Sequence, residues 1–278
     1  DPKQANAEAL KLLNAGVDSL GFEIASDGFT AADLDTLLAG IVIPAVELTF
    51  GGKKTGHVAE LVLAKVEKDG IAKNDVHVNF NIDPIVKKLS SKGCFCHGDG
   101  AHCFGKIAAL IKKSADYKHV RVVTVNGQIF SNSGSTIVEE LAFTLSAGHD
   151  YIVRLMDEGL TVDEIARKLR FSMAVTSNYF MEMAKFRAAR MLWANIVKAY
   201  NPEKDCACKM YTHAVTSTWN QTVYDPYVNM LRGTTEAMSA SIAGVHSLEV
   251  LPFDHAFEAP TDFSKRIAHN VELILKHE

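Results

Sequence analysis

The residues best suited to chemistry are scattered, and each group suggests a different reaction. Cys94-Phe95-Cys96-His97 and His102-Cys103 bring thiolates and imidazoles close together, with Cys206-Ala207-Cys208 far along the chain. Such soft ligands hold zinc or an iron–sulfur cluster when their spacing lets them converge on one ion. This spacing matches no familiar zinc motif, and Gly93–Gly105 reads as a surface loop, so reduced cysteines without a metal are expected. Gly51-Gly52-Lys53-Lys54-Thr55-Gly56 follows a strand and opens a helix, where backbone N–H groups attract phosphate. Its lysines come too early for a P-loop, so it reads as an ordinary strand-to-helix connection. His149-Asp150, Asp157-Glu158 and Asp254-His255 have the types of an acid–base pair. Adjacent side chains on a helix or strand point apart, so solvated surface positions are expected. No Gly-x-Ser-x-Gly, His-Glu-x-x-His or Asp-x-His-x-x-Gly run occurs. The residues taken alone therefore define no catalytic residue and no metal site.

Composition narrows the partners. The 278 residues are 47% apolar and 22% charged, enough to bury a large core and unlike a disordered or disulfide-framed chain. Lys+Arg (29) nearly balance Asp+Glu (33), with no long run of one sign, which argues against nucleic acid or an anionic membrane as partner. Five cysteines, an odd number, suit a reducing compartment, so a cytoplasmic location is expected. No apolar stretch is long enough to span a bilayer. The opening Asp1-Pro2-Lys3 reads as part of something longer.

The elements that must position any site repeat one unit: amphipathic helix, glycine stop, short apolar strand, polar loop. Strands are predicted at Val17–Ile24, ending at Phe50, and at Val76–Ile82, Val120–Val125, Phe171–Ser177, Met210–Ser217 and Val245–Leu251. Helices are predicted between them, with Asn178–Tyr200 the longest. The segments Ala15-Gly16-Val17-Asp18-Ser19-Leu20 and Ala243-Gly244-Val245-His246-Ser247-Leu248 echo one another, as expected of one unit reused around a ring. Strict alternation with right-handed crossovers implies a parallel sheet, and the absence of Gly-x-Gly-x-x-Gly after the first strand counts against a dinucleotide fold. The expected fold is α/β, a (β/α)8 TIM barrel lacking its N-terminal strand, forming one domain over residues 1–278. His77, Asn79 and Asn81 alternate along one strand, Thr124 and Asn126 along another, and Thr212, Ala214 and Thr216 along a third. Period-two polar residues suggest either a wet or ligand-lined interior, or strand ends that cap loops.

The second half carries a specific resemblance. The helix from Asn178-Tyr179-Phe180-Met181 to Arg190-Met191-Leu192-Trp193-Ala194 is similar to the long barrel helix of the methylmalonyl-CoA mutase family. The likeness continues in order through Thr216-Ser217-Thr218-Trp219, Asp225-Pro226-Tyr227-Val228-Asn229, Thr235-Glu236-Ala237-Met238 and Pro260-Thr261-Asp262-Phe263-Ser264-Lys265-Arg266, and before Val120 it is to the small-subunit branch. The resemblance implies an acyl-CoA-binding barrel, with a cobalamin-binding-like domain expected beyond Glu278. It implies radical isomerisation between methylmalonyl-CoA and succinyl-CoA with adenosylcobalamin, and a heterodimer of a catalytic large subunit and a related small one.

Departures from the family pattern point to the small subunit. Gln128 and Ile129 stand where catalytic members carry substrate-contacting Tyr and His, and Ile has no group to stabilise a developing charge. Val215 replaces the Gln of a Gln-Thr-Ser-Gly-Trp run, and Leu251 and His255 stand where Asn and Glu contact the adenosyl ribose. The family's CoA-contacting Arg and Ser fall on Lys168 and Arg170, the substrate-facing positions that the resemblance offers, although Lys is no bidentate substitute for Arg. The resemblance thus implies a catalytically silent small subunit that stabilises the large one. Adenosylcobalamin would be held by the large subunit and none by this chain, with a CoA ester as small-molecule partner. Open beside this reading stand a catalytic acyl-CoA mutase of altered specificity, a metal module on Cys94, Cys96, His97 and Cys103, and a homodimer.

Overall fold

The computed structural model of the chain describes residues 1–90 and 101–278. Cys94, Cys96 and His97 lie outside the described residues. Seven strands alternate with helices and follow one another in chain order, the α/β pattern of a (β/α)8 barrel. Two compact units, each discontinuous in sequence, make up the chain: residues 1–124 with 152–169, and residues 125–151 with 170–278.

The first unit contains α1 (Pro2–Asn14), β1 (Ser19–Ile24), α2 (Ala31–Leu37), β2 (Glu47–Gly52), α3 (Thr55–Lys68), β3 (Val78–Ile82), α4 (Pro84–Ser90), α5 (Ala101–Lys113) and most of β4 (Val120–Asn126). Strands β1 to β4 pair in parallel. Each strand faces two environments. Phe22, Phe50 and Phe80 stand in register on β1, β2 and β3 with ring centroids 5.7 and 6.2 Å apart. With Leu20, Leu48 and Val78 they form the buried face, beside the fully buried Val58, Val62 and Val66 of α3. Burying a side chain of that size contributes about 1.5–3 kcal/mol. The alternate residues Ser19, Gly21 and Glu23 of β1 pair with Glu47, Thr49 and Gly51 of β2 on the opposite, polar face. Asn79 shares that face in register with Thr49 and donates its amide N–H to Glu47.

The punctuation is local chemistry. Thr30 and Asp33 form a capping box that starts α2, as Thr161 and Glu164 do for α8 (Val162–Ala166) in the first unit. Gly16 and Gly244 take φ of +99° and +75° after their helices, a conformation that strains any residue with a Cβ. The echoing segments therefore hold the same structural role, with Ser19 opening β1 and Ser247 opening β7 (Ser247–Glu249).

The second unit contains α6 (Gln128–Asn132), the first part of α7 (Ile137–Asp157), β5 (Leu169–Val175), α9 (Tyr179–Lys198), β6 (Thr212–Thr216), α10 (Val228–Ala243), β7 and α11 (Asp262–His277). The longest described helix is α7 at 21 residues, one more than the predicted longest, α9. The sequence predicts a helix over Thr136–Leu145, and α7 runs on through Gly148 to Asp157. A Cβ there would lie 2.7 Å from Cε1 of Phe171 and 3.0 Å from Trp193, so the glycine admits the aromatic pair that seats α7 on β5 and α9. The residues 101–105, expected in a loop, open α5.

Beside that aromatic contact lies a buried ion cluster. Lys185 Nζ of α9 sits 2.6 Å from Glu140 Oε2 of α7 and 2.5 Å from Glu182 Oε2, and donates to the Ala174 carbonyl of β5 at 2.6 Å. Glu140 Oε1 accepts from the Ala174 N–H at 2.8 Å, and Glu182 Oε1 accepts from the Thr176 hydroxyl at 2.6 Å. One cation thus ties two helices to one strand, and burial pushes the Glu140 carboxyl above its ordinary range against the pull of Lys185. Lys185→Met leaves two buried carboxylates without their counter-charge, an expected loss of about 3–5 kcal/mol, seen as a fall in the urea midpoint. An unchanged midpoint would show that the cluster holds nothing together.

Candidate functional site

The face of β5, β6 and β7 turned away from the helices carries the chemistry of the second unit. Phe171 of β5 packs edge-on against Trp193 of α9 at 4.6 Å, so its neighbours Arg170 and Ser172 point the other way. Ser172 pairs with His213 of β6, which pairs with Ser247 of β7, and Val215 pairs with Glu249. Strand period and register therefore place Arg170, His213, Ser247 and Glu249 on one face. The sequence singled out the other face of β6. Thr212, Ala214 and Thr216 share the register of Phe171, Met173 and Val175, toward the helices. Thr212 meets His246 Nδ1 at 3.1 Å, and the Thr216 hydroxyl accepts from the Leu251 N–H at 2.9 Å. These threonines tie strand ends together, the second of the two readings above.

Polar contacts link the four residues in series. Arg170, 3% exposed, donates from Nη2 to Ser247 Oγ at 3.3 Å. Ser247 Oγ lies 2.8 Å from His213 Nδ1, and His213 Nε2 lies 3.6 Å from Glu249 Oε2. The His213 contact holds the Glu249 carboxyl below its ordinary range, helped by the charges of Arg170 and His255. The last distance is too long for a hydrogen bond and is an ion-pair contact. Sequence reasoning missed His213, Ser247 and Glu249, although the two echoing segments already put a serine at the start of the first and last strands.

A second polar cluster closes the C-terminal end of β6. Glu236 of α10, 2% exposed, accepts from the Ser217 N–H at 3.2 Å and from Asn220 Nδ2 at 2.7 Å. Asn132 of α6 accepts from the Ser217 hydroxyl and the Thr218 N–H. Trp219 lies against Gly134, where a Cβ would come 3.0 Å from the indole. Burial pushes the Glu236 carboxyl up to about 7.

The other sequence candidates fall as follows. Lys168, in the turn before β5, is buried and donates to the carbonyls of Ser114 and Tyr117 at 2.6 and 2.7 Å, and burial lowers its ammonium to about 8. Its partners are therefore different from those of Arg170. Lys53 and Lys54 reach back to Asp27, one to its carboxylate and one to its carbonyl. His149 pairs with the Tyr200 hydroxyl at 2.6 Å. Asp254, expected at the surface, is 1% exposed and accepts from the N–H and hydroxyl of Thr261, the residue that caps α11. Cys103 is half-buried and free, and among the described residues no His/Cys/Asp/Glu group is arranged to hold a metal. No described helix is long and apolar enough to cross a membrane.

Seven strands in sequential order, alternating with helices, define a (β/α)-barrel protein. The family model for methylmalonyl-CoA mutase matches residues 11–278, and the chain belongs to that family. It is 41% identical to the methylmalonyl-CoA mutase small subunit of Porphyromonas gingivalis, over 99% of this chain and 44% of that protein. It is 32% identical to the small subunit of Streptomyces virginiae, over 100% and 44% of the two chains. To the large subunit of Propionibacterium freudenreichii it is 33% identical, over 88% of this chain and 34% of the other. The chain thus spans less than half the length of these curated relatives. The family depends on adenosylcobalamin. Leu251, which the resemblance sets at its ribose, has no polar side-chain atom and gives its N–H to Thr216, while His255, the second such position, is exposed.

The raised Glu236 carboxyl sets a sign for pH dependence. A folded-state value near 7, against an ordinary 4.5, favours the folded state at low pH, and that contribution is lost as pH rises through about 7. Melting temperature is expected to fall between about pH 5 and 8, and Glu236→Gln to flatten the fall. A steeper fall in the variant would refute the assignment.

Proposed function

We propose that this chain is the barrel of a small subunit of a heterodimeric adenosylcobalamin-dependent methylmalonyl-CoA mutase, catalytically silent and stabilising its large subunit. The observation that carries the reading is selective replacement. The resemblance implies that scaffold runs such as Asn178–Ala194 stand in place, while Ile129, Val215 and Leu251 fall where catalytic members carry polar contacts. Apolar side chains there can neither polarise a thioester carbonyl nor hold a ribose hydroxyl. Adenosylcobalamin then belongs to the large subunit. Lys168 and Arg170 are the positions of the family's CoA contacts, and both side chains are engaged by protein groups.

Exposed apolar side chains support a partner. Phe180 and Met191 of α9 and Leu231 and Ile242 of α10 are each more than half exposed, on two helices that pack together. Clustered exposure of this kind marks interaction surfaces. The names of the relatives give that partner its class, since small and large subunits alike match this chain.

The test is light scattering on a sizing column with the large subunit, followed by assay of each species with adenosylcobalamin and methylmalonyl-CoA. A one-to-one complex is expected, with turnover in the complex and none from this chain alone. Turnover without the large subunit would restore the catalytic-mutase reading, and absence of a complex would remove the stabilising role.

A further inference from the structure

The loop from β6 to α10 is fastened by one buried carboxyl. Glu236 of α10, 2% exposed, accepts from Asn220 Nδ2 at 2.7 Å and shares the Ser217 N–H, at 3.2 Å, with the Val175 carbonyl at 2.9 Å. Both partners are neutral, and a buried carboxylate without a cation in contact is far more costly than a buried carboxylic acid. The elements packed against α10 do not offset that cost. On α9, Glu182 opposes ionisation of Glu236, and Lys185 is held by Glu140 and Glu182. Arg232 of α10 itself favours ionisation, but its guanidinium donates to Asn229. On α11, Glu272 accepts from the Val250 N–H and Arg266 lies over the Phe263 ring, while Glu249 of β7 faces His213 of β6.

Residues 218–221, which this carboxyl fastens, are lightly held otherwise. Trp219 is 63% exposed, and the buried amide oxygens of Asn220 and Gln221 accept no hydrogen bond within the protein. Asn132 accepts from the Thr218 N–H at one end, and two hydrogen bonds staple Thr222 to Asn229 at the other. The separation of 2.7 Å between Asn220 and Glu236 is also that of an O–H···O bond. Turning the Asn220 amide therefore lets a protonated Glu236 donate to the oxygen that otherwise accepts nothing, while its carbonyl oxygen keeps the Ser217 N–H.

We propose that residues 218–221 form a lid over the C-terminal end of β6 with Glu236 as its catch, shut while that carboxyl is protonated and released when it ionises. Opening brings water to the carboxyl and returns it to its ordinary value of 4.5, against about 7 in the closed form, so rising pH between those values favours the open lid. Opening also withdraws Trp219 from Gly134 and uncovers Ser217 and Asn132. These lie at the strand end where barrel proteins build their sites. The device does not depend on whether the chain partners a large subunit.

The experiment is amide hydrogen exchange of the full chain at about pH 6 and pH 8, with the intrinsic rate at each pH divided out. Protection over residues 218–222 is expected to fall about tenfold between the two in the natural chain. Glu236→Gln, which keeps both hydrogen bonds without a charge, is expected to show no fall, and a circular dichroism melt checks that it is folded. Equal protection at both pH values in the natural chain overturns the proposal, as does an equal fall in folded Glu236→Gln. The natural chain decides by itself through residues 186–196 of α9, where protection is expected to stay constant. A fall of the same size there would report general loosening and no lid.

Discussion

A fully buried ammonium, that of Lys185, is the constraint on which the second unit depends. Its charge must be met from both flanking elements, so Glu140 of α7 and Glu182 of α9 are drawn to one point, and the Ala174 peptide of β5 is held by the same groups. Fixing the Ala174 peptide fixes the pleat of β5, because successive side chains of a strand alternate in direction. Phe171 and Met173 are committed to the helices, and Arg170 and Ser172 to the opposite face. The register with β6 and β7 then brings His213, Ser247 and Glu249 beside Arg170. A charge cluster on the helix side of β5 thereby decides which residues share the polar face.

Much of this was legible in the sequence, and the reasons differ by element. All seven strands were located because each is bounded by a glycine stop or a polar loop, and Gly16 and Gly244 adopt the left-handed backbone that such stops require. The extension of α7 past Leu145 was not read from sequence, and Gly148 within it lacks a side chain for a close aromatic contact and not for a turn. In β6 the small polar residues drew attention to the wrong face. Threonine on a helix-covered face satisfies itself through strand-end hydrogen bonds, which pattern alone does not distinguish from a wet interior. The Arg170–Ser247–His213–Glu249 row joins residues from three strands, so only pairing register could assemble it. Asp254 was misread as surface because its partner, Thr261, lies seven positions away in a cap.

The fold of this chain is shown and its chemistry is proposed, on different grounds. The resemblance to the mutase family implied a barrel, and the strand order, the match over residues 11–278 and the relatives agree with it. The proposal that this barrel is catalytically silent rests on Ile129, Val215 and Leu251, which the resemblance sets where catalytic members carry polar contacts. Packing tolerates apolar replacements of similar volume far better than a site of transition-state charge does.

The central claim is that only one of the two related barrels in the assembled mutase performs the reaction. The most direct measurement is the number of adenosylcobalamin molecules bound and turned over per one-to-one complex, by equilibrium dialysis and single-turnover kinetics on the same preparation. The account predicts one per complex, and none bound by this chain alone. Two per complex, or cofactor bound by the isolated chain, would contradict it.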